Sequence, residues 1–314
     1  MPHTAKRPRL WYEQSGHGEP LLLITGFTIS SAVFEPVLPL YEPHFTCVRY
    51  DIRGAGRSDP PTHPTSMPEL AHDSIRVLDT LGIEHAHVCG VSMGGMIAQE
   101  IAIRYPERVL GLVLGGTTPG GPRAVRPALG ELLAVLRIAA GDVRDPGRSW
   151  LATMLFSPEF RREHPERTLE LIGYFKRHRP SLRGVTAQWW ATVYHDTVSR
   201  LGQIQAPTLV MHGEHDPMSP LANAEILAER IPDAELAIVR GAGHAFALER
   251  PEESLATVTR WLGGKRPVGA GRRREGLGAR VEPLSRALGL PIGAFRTGAS
   301  VVARGAERIN RKEW

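Results

Sequence analysis

The sequence predicts an α/β protein, a mostly parallel β-sheet with helices packed on both faces. Three observations lead there. Short apolar runs such as Leu21-Leu22-Leu23-Ile24 and Val109-Leu110-Gly111-Leu112-Val113-Leu114 lack the polar alternation of a half-exposed strand, so they read as strands buried on both faces. Segments of helical spacing separate these runs, and strands alternating with helices favour parallel pairing. Finally, His87-Val88-Cys89-Gly90-Val91-Ser92-Met93-Gly94-Gly95 begins as an apolar strand, breaks at glycine, turns through a serine and continues as helical sequence.

Taken in order, residues 8–16 read as an opening strand or hairpin ending at Gly16-His17-Gly18. The run Leu21–Ile24 stops at Thr25-Gly26-Phe27, and an amphipathic segment follows through Val33, Val37, Leu38 and Tyr41. Phe45–Tyr50 is a second buried strand, closed by Asp51-Ile52-Arg53-Gly54-Ala55-Gly56-Arg57-Ser58. Met67–Leu81 has helical spacing (Leu70, Ser74, Val77, Leu78, Leu81) and stops at Gly82, a fitting C-terminal residue. Beyond Ser92 a helical face of Ile97, Ala98, Ile101 and Ala102 runs to Tyr105, and Val109–Leu114 is the next buried strand.

The rhythm breaks at Thr117-Thr118-Pro119-Gly120-Gly121-Pro122, and up to residue 200 only helix-like pieces occur. These are Leu129, Leu132, Leu133 and Leu136 at helical spacing, then Trp150–Phe156, Leu169–Phe175 and Gln188–Val198. Alternation resumes with the strand Pro207–Gly213, a helix over Leu221–Ile231, a strand over Ala234–Val239 and a last helix over Pro251–Leu262. The expected organisation is a core over 1–119, an inserted helical cap over 120–200, the rest of the core over 201–263, and a basic, partly flexible extension over 264–314.

Composition bounds the function. No run of about 18 apolar residues occurs, so no membrane span is expected, and the basic N-terminus lacks the apolar stretch and cleavage site of a signal peptide. A cytoplasmic protein is expected. The formal charge of +5 is uneven: residues 265–314 hold twelve Lys and Arg against four Glu, a net of +8, which leaves −3 for the rest. No stacking-aromatic pattern accompanies the basic tail, so nucleic acid is not an expected partner. Apolar residues among its arginines (Leu284, Leu288, Leu290, Ile292, Phe295, Val301, Val302) would suit a weak membrane-surface contact. The oligomeric state is not legible.

The chemistry starts at Gly90-x-Ser92-x-Gly94, the pattern of a nucleophile elbow. The turn is so tight that side chains two residues either side of the serine would collide, so both positions are glycine. It lifts the hydroxyl clear of the sheet, and the N-terminus of the following helix aims free N–H groups at whatever the serine attacks. A serine is a weak nucleophile at neutral pH and needs a histidine base, itself oriented by a carboxylate. After such an elbow the partners come in the order acid, then histidine. Asp216, in Gly213-Glu214-His215-Asp216-Pro217, and His244, in Gly241-Ala242-Gly243-His244-Ala245-Phe246, each follow a predicted strand, the edge where α/β sheets hold ligands. Glu214 is the rival acid, nearer its strand end. His212 and His215 flank the same loop and read as structural or exposed. Two N–H groups should hold an oxyanion: that of Met93, after the nucleophile, and that of Phe27, in the loop after Leu21–Ile24.

With these residues in view, the chain from about Leu10 to Leu262 resembles the α/β-hydrolase fold superfamily, in the branch of serine esterases, enol-lactone hydrolases, carbon–carbon bond hydrolases and methylesterases. The resemblance rests on Gly90-Val91-Ser92-Met93-Gly94-Gly95, Asp51 to Ser58, Pro207 to Asp216 and Gly243-His244. It implies an eight-stranded, mostly parallel sheet, a Ser92–His244–Asp216 triad, an acyl-enzyme intermediate and no cofactor or metal. It also implies that Asp51–Ser58 is a structural turn. In the implied strand order the strands of Cys47 and Cys89 are separated by the one ending at Thr25, about 9–10 Å apart, too far for a disulfide. Both are expected to be buried thiols. Where the family often has His-Gly this chain has Thr25-Gly26, so altered hydrogen bonding around the oxyanion loop is expected.

Specificity should come from the cap, where Trp189, Trp190, Tyr194, Phe156, Tyr174 and Phe175 offer apolar surface. The expected reaction is hydrolysis of an ester or lactone of a moderately bulky apolar small molecule. Carbon–carbon bond hydrolysis with the same triad, or ligand binding on a catalytically poor version of the fold, are the alternatives. Aspartate-nucleophile dehalogenases and epoxide hydrolases are excluded by Ser92.

Overall fold

A computed structural model of the chain describes residues 3–126, 150–178 and 180–263. The Leu129–Leu136 helix and the 264–314 extension expected from sequence lie outside the described residues. Seven strands form one sheet: β1 (Tyr12–Gly16), β2 (Glu19–Ile24), β3 (Phe45–Tyr50), β4 (Ala86–Val91), β5 (Val109–Gly115), β6 (Thr208–Gly213) and β7 (Ala234–Val239). Their order is β1-β3-β2-β4-β5-β6-β7, with β1 antiparallel to β3 and every other pair parallel. The sheet thus has seven strands among the described residues rather than the expected eight. At the N-terminal edge His3 and Trp11 make a single antiparallel bridge, too short to count as a strand.

The apolar runs are explained by the two faces they serve. Along β2, Leu22 and Ile24 join one buried cluster with Val48, Tyr50, Val88, Leu112, Leu114 and Val210, while Leu21 and Leu23 join another with Cys47, Val113, Leu209 and Met211. Successive side chains of a strand point to opposite faces, so a strand covered on both sides must be apolar at every position. Each fully buried leucine contributes about 1.5–3 kcal/mol of transfer free energy. Cys47 and Cys89 lie on β3 and β4 with β2 between them, and both are free thiols. Burial pushes both thiols up to about 12.

The helices are α1 (Leu38–Tyr41), α2 (Met67–Thr80), α3 (Met93–Arg104), α4 (Trp150–Leu155), α5 (Pro158–Glu163), α6 (Pro165–Lys176), α7 (Leu182–Val193), α8 (Leu221–Arg230), α9 (Phe246–Glu249) and α10 (Pro251–Gly263). Helix α2 opens with a capping box: Ser66 Oγ accepts the Glu69 N–H, and the Glu69 carboxylate accepts the Ser66 N–H. Its apolar side packs with α3 on one face of the sheet. Helices α4 to α7 all lie in sequence between β5 and β6. Their local start signals are Ser157 ahead of α5 and Ser181 ahead of α7, each accepting an N–H three residues on. Ser181 explains why α7 begins at Leu182 rather than at the Gln188 that apolar spacing predicts, and the helix ends at Val193, short of the expected Val198.

Strand order decides where a site can form. The chain passes from β2 to β3 on one side and then returns to place β4 on the other side of β2. The loops leaving the C-terminal ends of β2 and β4 therefore diverge around a crevice, the usual ligand position in an open α/β sheet. Register puts Ile24 beside Gly90, so Thr25-Gly26-Phe27 emerges next to Ser92.

Candidate active site

Ser92 is the residue between β4 and α3, with φ 59° and ψ −123°. A non-glycine residue in this region carries strain of about 1–3 kcal/mol. The surroundings hold it there. The Ser92 N–H donates to the Gly115 carbonyl at 2.8 Å, and the Ser92 carbonyl accepts the Thr117 hydroxyl at 2.7 Å. The flanking glycines are required by space. A Cβ on Gly90 would lie 2.2 Å from the Gly94 carbonyl oxygen, and one on Gly94 would lie 2.2 Å from that of Ile24. Gly94 thus lets α3 sit against β2, a role beyond relieving the turn itself.

Asp216 and His244, the acid and the histidine expected from sequence, follow the ends of β6 and β7. Asp216 Oδ2 accepts a hydrogen bond from His244 Nδ1 at 2.7 Å, with the Asp216 side chain fully buried. Asp216 Oδ1 accepts the N–H groups of Met218 at 2.8 Å and Ser219 at 2.9 Å. The carboxylate is thereby oriented, and a proton on His244 Nδ1 leaves a free lone pair on Nε2. Glu214, the rival acid, is turned away: it accepts the Gly241 N–H at 2.9 Å and lies 3.7 Å from Arg240. His215 is exposed. His212 is fully buried, its Nε2–H donating to the Ser219 carbonyl at 2.7 Å, and burial pushes its pKa down. It stands 3.6 Å from Asp216 Oδ2 as a neutral ring behind the acid.

A short bridge connects serine and acid. Gly116 passes against the Asp216–His244 pair, a Cβ there falling 3.3 Å from both Asp216 Oδ2 and His244 Nδ1. Beside it, Thr117 gives its hydroxyl to the Ser92 carbonyl and its carbonyl to the Ser219 hydroxyl at 3.1 Å. Among the described residues no hydrogen bond joins the Ser92 hydroxyl to the His244 ring, and such contacts are commonly long before substrate binds. Gly116, Thr117 and Ser219 carry no motif of their own; the one hint was a Gly-Gly-Thr-Thr run closing a buried strand.

The loop after β2 lies over the serine: a Cβ on Gly26 would be 3.2 Å from Ser92 Cβ. Among the described residues the N–H groups of Phe27 and Met93 are donated to no protein group. Met93 opens α3, whose aligned peptides add partial positive charge at that end. At the position where the family often has histidine, Thr25 donates to the Ile29 carbonyl at 2.9 Å and closes the loop on itself. The Asp51–Ser58 segment is a structural turn: buried Asp51 accepts the N–H and hydroxyl of Ser31 and the N–H and Nε of Arg57. Arg53 is paired with buried Asp73.

The six aromatics expected in the insertion divide sharply. Half-buried Phe175 packs edge to face on the core residue Phe156, and Trp190 stacks on Tyr194 at the surface. Tyr174 lies under Arg177. Trp189 meets the Phe27 ring, centroids 6.2 Å apart at 64°.

Comparison with known proteins agrees with this architecture. A model of the alpha/beta hydrolase fold matches residues 19–251. A poly(3-hydroxyalkanoate) depolymerase of Ectopseudomonas oleovorans is 32% identical over 246 residues, covering 78% of this chain and 85% of that one. The 3-oxoadipate enol-lactonase 2 of Acinetobacter baylyi is 28% identical over 255 residues, covering 79% and 91%. Among solved structures, a thermophilic esterase from Thermogutta terrifontis superposes with a TM-score of 0.67 at 28% identity, covering 83% of this chain and 96% of the other. The chain belongs to the alpha/beta hydrolase fold family and is a hydrolase of that family.

Proposed function

We propose that the protein is a serine hydrolase that cleaves a carboxylic ester or lactone of a moderately bulky apolar small molecule. The observation that carries this reading is the buried Asp216–His244 hydrogen bond at the same sheet edge as the strained Ser92 turn. Ser92 Oγ attacks the substrate carbonyl while His244 Nε2 takes its proton. Asp216 keeps the imidazole in the required tautomer and stabilises the imidazolium. The N–H groups of Phe27 and Met93 receive the charge that develops on the carbonyl oxygen; loss of one such donor typically costs about 3–4 kcal/mol in the transition state. His244 then protonates the leaving alkoxide. Water, activated by the same ring, releases the acyl group and restores Ser92.

Helices α4 to α7 serve as the cap. Trp189 over Phe27 supplies an apolar wall next to the carbonyl position, which supports an apolar acyl or alcohol group there. The names of the depolymerase and the enol-lactonase, both acting on ester linkages, support the ester or lactone class. The test is labelling of the full chain with a fluorophosphonate, beside hydrolysis of short and medium-chain p-nitrophenyl esters, for wild type, Ser92→Ala and His244→Ala. Removal of either residue should lower turnover by five to six orders of magnitude, about the loss seen on disabling an unrelated serine protease triad. Folded wild type that neither labels nor hydrolyses these esters rules the reading out.

A further inference from the structure

The loop that presents the Phe27 N–H is poorly fastened by its own backbone. Thr28 holds φ 61°, a left-handed conformation unusual for a β-branched residue, and the turn's hydrogen bond, Ile29 N–H to Gly26 carbonyl, is long at 3.4 Å. Besides the Thr25 hydroxyl, which bonds the Ile29 carbonyl at the end of the loop, the fastening at its centre comes from α7. The Thr28 N–H donates to Gln188 Oε1 at 2.7 Å, and Gln188 Nε2 donates to the Arg53 carbonyl at 2.9 Å. Gln188 is fully buried. One turn earlier on the helix, Gly184 lies directly on Gly54: a Cβ on Gly184 would fall 2.0 Å from the Gly54 carbonyl oxygen, and one on Gly54 would fall 2.4 Å from Gly184 Cα. The helix therefore sits as close to the Asp51–Ser58 turn as two backbones allow, and that turn is itself braced by Asp51. Gln188 spans a fixed gap between a rigid turn and the loop.

We propose that Gln188 is a positioning residue of the oxyanion hole, setting the direction of the Phe27 N–H by anchoring the neighbouring peptide; this rests on the hydrolase reading above. The site demands an acceptor for an N–H and a donor for a carbonyl from one uncharged group, which a primary amide provides. A carboxylate would face the Arg53 carbonyl and set negative charge beside the forming oxyanion. The neighbouring Trp189, edge-on to Phe27, holds the same loop from its side-chain face. The helical insertion thus shapes the transition-state pocket as well as the substrate pocket.

Gln188→Met keeps the volume and removes both hydrogen bonds. In full-length protein normalised by active-site titration, kcat on p-nitrophenyl butyrate should fall tenfold to a hundredfold, about what a misplacement on the order of 1 Å costs. The inhibition constant of an alkyl boronic acid, which forms a tetrahedral adduct on the serine, should rise by a similar factor, while KM moves less than about threefold. A Gln188 that only stabilises the fold would lower the melting temperature and leave titrated kcat and boronate affinity within twofold, and that result overturns the assignment. If wild type neither hydrolyses the ester nor binds the boronate, the hydrolase reading falls and this inference with it; an active wild type with an unchanged Met variant removes this inference alone. Should the variant not fold, amide exchange in wild type decides. Protection of the Thr28 N–H of at least a hundredfold supports the anchor, and exchange at the rate of an open loop overturns it.

Discussion

Asp216→Asn tests the assignment of the acid most sharply, because the surrounding hydrogen bonds dictate how the new amide must lie. Asp216 Oδ1 receives two backbone N–H groups, from Met218 and Ser219, while Oδ2 receives His244 Nδ1. In the variant the amide oxygen must stay where the two donors arrive, since the opposite orientation would set an NH₂ group against both. The NH₂ group then takes the place of Oδ2 and donates to His244 Nδ1. That bond forces the ring proton onto Nε2, so the nitrogen that should take the proton of Ser92 is already occupied. The same tautomer inversion in an unrelated serine protease lowers kcat by about 10⁴, equivalent to about 5 kcal/mol, and a comparable loss is expected here. The assay is kcat and KM on p-nitrophenyl butyrate near pH 7.5, with circular dichroism melting to verify the fold. Glu214→Gln is the control, expected to stay within about threefold because its carboxylate faces Gly241 and Arg240. A folded Asp216→Asn protein within tenfold of wild-type kcat would refute the reasoning.

Three further outcomes follow from the packing around the site. Gly90→Ala drives a Cβ to 2.2 Å from the backbone oxygen of Gly94; a loss above about 3 kcal/mol is expected, seen as a melting temperature lower by at least about 6 °C, and a shift under 2 °C would contradict it. Glu249, buried behind the His244 loop, accepts the N–H and hydroxyl of Ser157 and the N–H of Gly243. Glu249→Ala leaves these donors without their acceptor, at about 3 kcal/mol, whereas Glu249→Gln should cost under about 1 kcal/mol because the Ser157 hydroxyl can turn to accept. Chemical denaturation distinguishes the two, and equal losses would show that the network is not what matters. His195 is buried without a hydrogen bond to either ring nitrogen among the described residues, and burial lowers its pKa to about 4. The unfolded chain takes up this proton near pH 6.5 while the folded chain resists, so stability falls as pH drops from 6.5 towards 4. By pH 4.5 the loss from this residue is about 2–3 kcal/mol. His195→Leu should flatten that part of the urea-denaturation profile, and an unchanged slope would refute the origin.

Much of this protein is legible in its sequence. Leu21–Ile24 had to be a doubly covered strand, since four consecutive apolar residues leave no face for water. The elbow announced itself because its geometry tolerates only glycine at Gly90 and Gly94, a constraint that acts over a few residues and so leaves a local mark. Asp216 and His244 could be proposed because each falls just after a strand. The start of α7 was not legible, because it depends on the Ser181 cap rather than on apolar spacing, and the sheet that the family resemblance implies as eight-stranded has seven strands among the described residues.

What only the tertiary structure decided is which distant groups meet. Sequence alone left Asp216 and Glu214 as competing acids two residues apart; the folded chain turns one into the buried His244 partner and the other outward to Gly241. Gln188 looked like any helical glutamine until α7 settled on Gly54 and brought its amide to Thr28, 160 positions away. Gly116, Thr117 and Glu249 were equally silent. Local sequence records the constraints of steric turns and of burial, which each residue meets with its near neighbours. Hydrogen-bond partners across the fold are chosen by how the helices pack on the sheet, and a single chain read in order carries no trace of that choice.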